Sequence, residues 1–145
     1  MATLTLKDIA AEMADIDFTM LTTRTDDGKL AARPMSNNGE VEYDGDSVYF
    51  TWGSSRTARD IQRDPQVGLS FQGSAGLLGK PPLFVSVEGT AELVRDKAEF
   101  VVHWSKDLDR WFTQGPDTPD LVMIKVHATR IHYWDGEDEG EVPVP

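Results

Sequence analysis

Cysteine is absent from this chain. That excludes disulfides, thiolate catalysis and any zinc or iron–sulfur site held by cysteine, and it fits a reducing compartment. Positive charge is scarce: 14 Lys and Arg stand against 25 Asp and Glu, a net charge of -11 at pH 7. An acidic surface cannot release counterions from nucleic acid or from an anionic membrane, so neither is an expected partner. The acidity reads instead as a solvated surface. No apolar run approaches about 18 residues and no charged-then-apolar leader opens the chain. The expectation is a cytoplasmic protein without membrane contact.

Several catalytic signatures are missing as well. Gly73, Gly76 and Gly79 recur every three residues without making a dinucleotide fingerprint, and Gly79-Lys80 runs into Pro81 where a phosphate loop needs Ser or Thr. There is no Gly-x-Ser-x-Gly elbow and no evident grouping of Ser, His and acid. His103, His127 and His132 do not form a metal cluster; five residues separate the last two, which puts them on opposite faces of a regular strand. The chain therefore carries no evident catalytic side chain of its own, and an enzyme built from it would rely on a cofactor.

What is present is β-rich. At 145 residues, one domain buries roughly 70% of its unfolded surface. Thr5 caps a first helix, with Asp8 three residues on and Leu6, Ile9, Ala10 and Met13 at helical spacing. Phe18–Thr25 and Leu30–Met35 form a hairpin around Asp26-Asp27-Gly28, and Val41–Tyr43 and Ser47–Trp52 a second around Asp44-Gly45-Asp46. Strands follow at Gln66–Phe71, Leu83–Val94, Leu121–His127 and Ile131–Trp134, and Asp96 caps a helix carrying Phe100, Val101 and Trp104. Residues 1–136 read as one domain and 137–145 as an acidic, proline-ended tail. Six or so antiparallel strands with short helices and no βαβ rhythm indicate a mainly β, α+β domain whose sheet closes wholly or partly into a barrel.

The stretch Ser47–Phe71 carries the most information. It reads as strand, tight turn, helix over Arg56–Arg63, a stop at Asp64-Pro65, and strand again. The turn brings the hydroxyls of Ser54, Ser55 and Thr57 and the cations of Arg56 and Arg59 to a helix N-terminus, where free amides and the dipole favour an anion such as phosphate. The same residues equally describe an ordinary Ser N-cap followed by solvated arginines.

The ordered set of segments resembles the pyridoxamine 5′-phosphate oxidase-like flavoproteins, in particular their bacterial general stress protein branch. The segments are Ala32-Arg33-Pro34-Met35, Tyr49-Phe50-Thr51, the turn Ser55–Ile61, Asp64-Pro65-Gln66-Val67, Val87–Ala91, Trp111-Phe112 before a Gly-Pro-Asp loop, and Ile131–Gly136. The resemblance spans Leu6 to Gly136. It implies a split β-barrel of about six antiparallel strands in Greek-key arrangement with short flanking helices. It also implies a homodimer holding flavin mononucleotide (FMN) between subunits, with FAD an alternative.

By the same resemblance, Ser55, Arg56 and Thr57 hold the phosphate and Arg33 contacts the flavin. The backbone of Arg33, Pro34, Met35 and Ser36 meets the ring edge, Phe50 and Thr51 line it, and Trp134 reaches it from the partner chain; a barrel-closing role for Trp134 stays open. The chain departs from the family at Thr57, where members carry Lys. It has no late arginine within Glu137–Glu141, and no match between Ala98 and Gln114 for the residues that hold pyridoxamine phosphate. The implied function is a flavin-dependent oxidoreductase acting on a small redox substrate other than pyridoxamine phosphate. The alternatives are a flavin-binding sensor or storage protein without turnover, and a relative binding deazaflavin or haem.

Overall fold

A single fifteen-residue strand, Leu121–Asp135, is the spine of the molecule. The computed structural model describes residues 3–145. In chain order its main elements are α1 (Leu6–Met13), β1 (Phe18–Arg24), β2 (Leu30–Ser36), β3 (Asp46–Trp52), α2 (Arg56–Arg63), β4 (Gln66–Gln72), β5 (Leu83–Val94), α3 (Lys97–His103), β6 (Leu121–Asp135) and β7 (Asp138–Val142). All strands pair antiparallel in one seven-stranded sheet, ordered β2-β1-β4-β5-β6-β3, with β7 also on β6. β2 and β3 stand at opposite ends of this order yet touch each other. The sheet thus curls into a split barrel of the α+β class, with an open seam between two edge strands. Among the described residues no helix is long and apolar enough to cross a membrane.

Local chemistry accounts for the elements. Thr5 and Asp8 form a reciprocal capping box at α1: the Thr5 amide donates to the Asp8 carboxylate at 2.8 Å and the Asp8 amide to the Thr5 hydroxyl at 3.2 Å. The far end is closed by Asn37, whose side-chain amide donates to the carbonyls of Met13 (3.0 Å) and Ile16 (2.8 Å). β4 and β5 alternate buried and exposed side chains at the two-residue period of a half-covered sheet. Ile9, Leu21, Tyr49, Leu69, Phe71, Val85, Val87, Ile124 and Ile131 fill the barrel. A second cluster, Phe50, Phe100, Leu108, Phe112, Leu121 and Met123, lies outside it. Tyr49 and Phe50 are adjacent and both buried because β3 is covered on both faces.

Three sequence expectations are corrected. Val41–Tyr43 forms no strand. The loop closes instead on the end of α1, so tightly that a Cβ on Gly39 would lie 2.2 Å from the Ala14 carbonyl oxygen. The stretches 121–127 and 131–134 are one strand, bulged where Gly89 faces Ala128 but Glu88 faces Arg130, leaving Thr129 unpaired. Gly89 is required there, since a Cβ would stand 2.7 Å from the His127 carbonyl oxygen. The extra residue puts His127 and His132 on the same outer face, not on opposite ones. Finally, residues expected in an acidic tail form β7, register-paired from Asp135↔Asp138 to Ile131↔Val142, with Val142 buried.

Candidate functional site

The seam between β2 and β3 opens into a pocket of about 270 Å³. Being the terminal strand of the order, β2 pairs with β1 alone, so its other edge faces the seam with unpaired backbone groups. Arg33, Pro34, Met35 and Ser36 of that strand line the pocket, opposite Phe50 and Thr51 of β3 and Thr57 of α2. Seven of the ten residues singled out from sequence are therefore brought to one cavity.

Ser55 is not among the residues lining the cavity; it caps the helix beside it. Its hydroxyl accepts from the Ala58 amide at 3.1 Å, the N-cap bond, and from the Thr51 hydroxyl at 3.2 Å. The Ser54 amide is also taken, donating to the Asp120 carboxylate at 2.9 Å, while the Gly53 amide donates to the Asp120 carbonyl at 2.7 Å. Asp120, in the left-handed region at φ 62°, thereby pins the turn. The amides of Arg56 and Thr57, which open α2, find no acceptor among the described residues. Thr57 is 7% exposed and faces the pocket. Arg56 is exposed at the same helix end.

Beneath that end lies a carboxylate the sequence did not flag. Asp60, 3% exposed, accepts from the Thr23 hydroxyl and from Arg63 Nη2, each at 2.8 Å. Arg33 Nη2 stands 3.6 Å from it and Arg56 Nε 4.0 Å. Burial pushes the Asp60 pKa up, but the hydrogen bonds from Thr23 and Arg63 and the charges of Arg63 and Arg56 outweigh it and hold the carboxyl below its ordinary value. Arg33 is anchored through Nη1, which donates to Thr23 Oγ1 (2.7 Å) and to the carbonyls of Ala31 (3.1 Å) and Leu21 (3.3 Å).

The opposite wall is apolar and was likewise missed. Phe18, Trp52, Leu108, Trp111 and Phe112 complete the pocket. Phe18 meets Trp111 edge to face at 6.3 Å, and Trp52 meets Phe112 at 4.8 Å, ordinary aromatic packing geometries. Nothing local in the sequence said which surface Leu108, Trp111 and Phe112 would cover.

Trp134 lies elsewhere. It sits on the outer face of β6 beside the buried Tyr133, faces Phe84 across the ladder, and donates its indole N–H to the Glu139 carboxylate at 3.1 Å. At 39% exposed it does not close the barrel, which removes that reading, and it does not reach the pocket of its own chain. None of the three histidines lines the pocket. Among the described residues no group of His, Cys, Asp and Glu is arranged to hold a metal ion. A second cavity of about 300 Å³, between α1, the 37–46 loop and β3, contains none of the expected site residues. The chemistry of the walls, not volume, distinguishes the seam.

The sequence profile of "Pyridoxamine 5′-phosphate oxidase like" proteins matches residues 5–143. The chain belongs to this family. Over 137 residues it is 28% identical to protein bli-3 of Neurospora crassa, covering 88% of this chain and 63% of that one. Among solved structures, a Clostridium acetobutylicum protein related to general stress protein 26 of the pyridoxine phosphate oxidase family superposes with a TM-score of 0.76 at 18% identity, covering 94% of this chain and 92% of the other. A haem-binding protein of Mycobacterium smegmatis gives a TM-score of 0.74 at 15% identity, covering 99% of this chain and 63% of the other. At such identities the structures share the fold, and the family membership rests on the profile match.

Proposed function

We propose that this protein binds FMN in the β2–β3 seam of a homodimer and serves as a flavin-dependent oxidoreductase. The observation that carries the reading is one cavity with two chemically distinct ends. At one end the free amide and side chain of Thr57 and the Arg33 cation suit a phosphate, with the free Arg56 amide next to them on the first turn of α2. At the other, aromatic side chains and an open strand edge suit a flat heteroaromatic ring with a polar rim. Bound there, the flavin supplies reversible electron or hydride transfer through its ring.

The chain's own residues bind and enclose. Backbone groups of Arg33–Ser36 hydrogen-bond the rim, while Phe18, Trp52, Trp111 and Phe112 exclude water and tune the potential. In the segment 98–114, where the resemblance finds no match for the residues that hold pyridoxamine phosphate, Leu108, Trp111 and Phe112 contribute an apolar wall. That favours a different substrate.

The homodimer is supported by the outer sheet face. The register lines up Pro34, Met20, Ser70 and Ser86 across four strands without a charge, flanked by the exposed Phe18, Phe84 and Trp134. A second copy on this face would carry Trp134 toward the partner's ring. Haem fits poorly, because no histidine lines the pocket. A flavin carrier without turnover is the second reading, favoured by a lining that offers no general acid or base.

Titration of FMN into micromolar protein tests the reading, with saturable quenching of flavin fluorescence expected. Absence of any flavin binding overturns it. Turnover with a nicotinamide donor and quinone acceptors separates enzyme from carrier.

A further inference from the structure

The carboxylate of Asp60 is 4% exposed and surrounded by three arginines from two elements: Arg33 on β2, and Arg56 and Arg63 on α2. Thr23 of β1 is the fourth neighbour. Of the three arginines only Arg63 is hydrogen-bonded to it, at 2.8 Å; Arg63 also donates to the Arg24 carbonyl at 3.2 Å, at the C-terminal end of α2 and outside the pocket lining. Arg63 therefore satisfies the buried charge that would otherwise be expensive to hold there. Arg33 and Arg56, at 3.6 and 4.0 Å, lie beyond hydrogen-bond reach of it and keep donors for another anion.

Thr23 converts this arrangement into a directed link. A guanidinium can only donate and a carboxylate can only accept, so the Thr23 hydroxyl must accept from Arg33 Nη1 and donate to Asp60 Oδ2. Its single proton is committed and the link cannot reverse. Arg33 is thus fixed on the side of Thr57, at the polar end of the pocket.

We propose that Asp60 is a positioning residue for the phosphate of the bound flavin: through Thr23 it fixes the Arg33 guanidinium, it steers Arg56, and Arg63 neutralises it so that both arginines keep their charge for the ligand. The proposal rests on the flavin reading of the seam.

The test compares FMN with riboflavin, which lacks the phosphate, by fluorescence titration of the purified dimer. Thr23→Val keeps every charge and nearly the same shape while breaking the link. It is expected to weaken FMN binding about fivefold to tenfold with riboflavin unchanged. Asp60→Asn is expected to weaken FMN at least as much, again sparing riboflavin, and to shift the ³¹P resonance of bound FMN. A folding defect confined to Asp60→Asn leaves Thr23→Val to decide. An FMN-to-riboflavin preference unchanged in Thr23→Val overturns the proposal, as does tighter FMN binding by Asp60→Asn, which would make Asp60 a competing charge. Wild-type protein that binds both flavins equally overturns this proposal alone. Wild-type protein that binds neither overturns the flavin reading itself.

Discussion

The hydroxyl of Thr51 donates to that of Ser55 at 3.2 Å, tying the last turn of β3 to the first of α2. The Ser55 oxygen is thereby occupied twice, by Thr51 and by the Ala58 amide. Ser55→Ala should accordingly behave as a lost N-cap. A destabilisation of about 1 kcal/mol is expected, a drop of roughly 2–4 °C in melting temperature for a chain of this size. Thermal unfolding followed by circular dichroism measures it. FMN affinity should fall as well, since both bonds use the Ser55 oxygen as acceptor and leave its proton for the phosphate; an unchanged affinity would make Ser55 a cap alone.

By the family resemblance, Thr57 occupies a position where members usually carry Lys. Because Thr57 lines the pocket together with Arg33, Thr57→Lys adds a positive charge at the polar end. At an effective dielectric near 20 a unit pair about 4 Å apart gains about 4 kcal/mol gross. Desolvation and side-chain ordering remove most of that, leaving about tenfold tighter FMN binding. Riboflavin affinity should change less. Equal changes for both ligands would mean that Thr57 does not face the phosphate.

Trp134 leads to a prediction about assembly. Light scattering should give twice the 16.1 kDa monomer mass across a dilution series. Trp134→Ala should weaken FMN binding more than it lowers the melting temperature, since the indole is outside the core. Glu139→Gln, which alters the acceptor of its N–H, should produce a smaller effect of the same sign. A monomer, or a loss of stability exceeding the loss of affinity, would contradict the shared site.

Acid should act through Asp60. Burial alone would raise its pKa, but Thr23, Arg63 and Arg56 bring the folded value below the ordinary one of 3.8. A carboxyl whose pKa is lower in the folded state stabilises the fold above its unfolded pKa, and that contribution disappears as pH falls through the folded value. The melting-temperature gap between wild type and Asp60→Asn should therefore be widest near neutrality and narrow progressively below about pH 4. A gap that widens on acidification would reverse the sign of the assigned shift.

Local signals made part of this structure readable in advance. α2 runs over Arg56–Arg63 as expected because Ser55 caps it and Asp64-Pro65 stops it. β5 spans the expected Leu83–Val94, its apolar residues alternating on one face. The strand β7 was hidden because its inward positions are Asp138, Gly140 and Val142, so a charged alternation conceals a paired strand. Asp60 was hidden for another reason: Arg63 is a helical neighbour, but Thr23 and Arg33 reach it from β1 and β2. The aromatic wall is similarly non-local, since Trp111 meets Phe18 only when the segment after α3 folds over the seam. The pocket's polar half was thus legible from a contiguous turn, and its apolar half depended on tertiary packing.

Thr129 works as a phase shift within β6. Were Thr129 paired as an ordinary strand residue, every side chain downstream would exchange sides: His132 and Trp134 would be driven into the barrel, and Ile131 and Tyr133 turned out to solvent. Whether this chain presents an outer indole to a neighbour therefore depends on counting, not on the identity of Trp134. In that sense a deletion of Thr129 is a milder change than it looks: Arg130 stays opposite Glu88 and every later side chain keeps its present face, whereas straightening the bulge with Thr129 retained would invert surface and interior over the whole of the last hairpin.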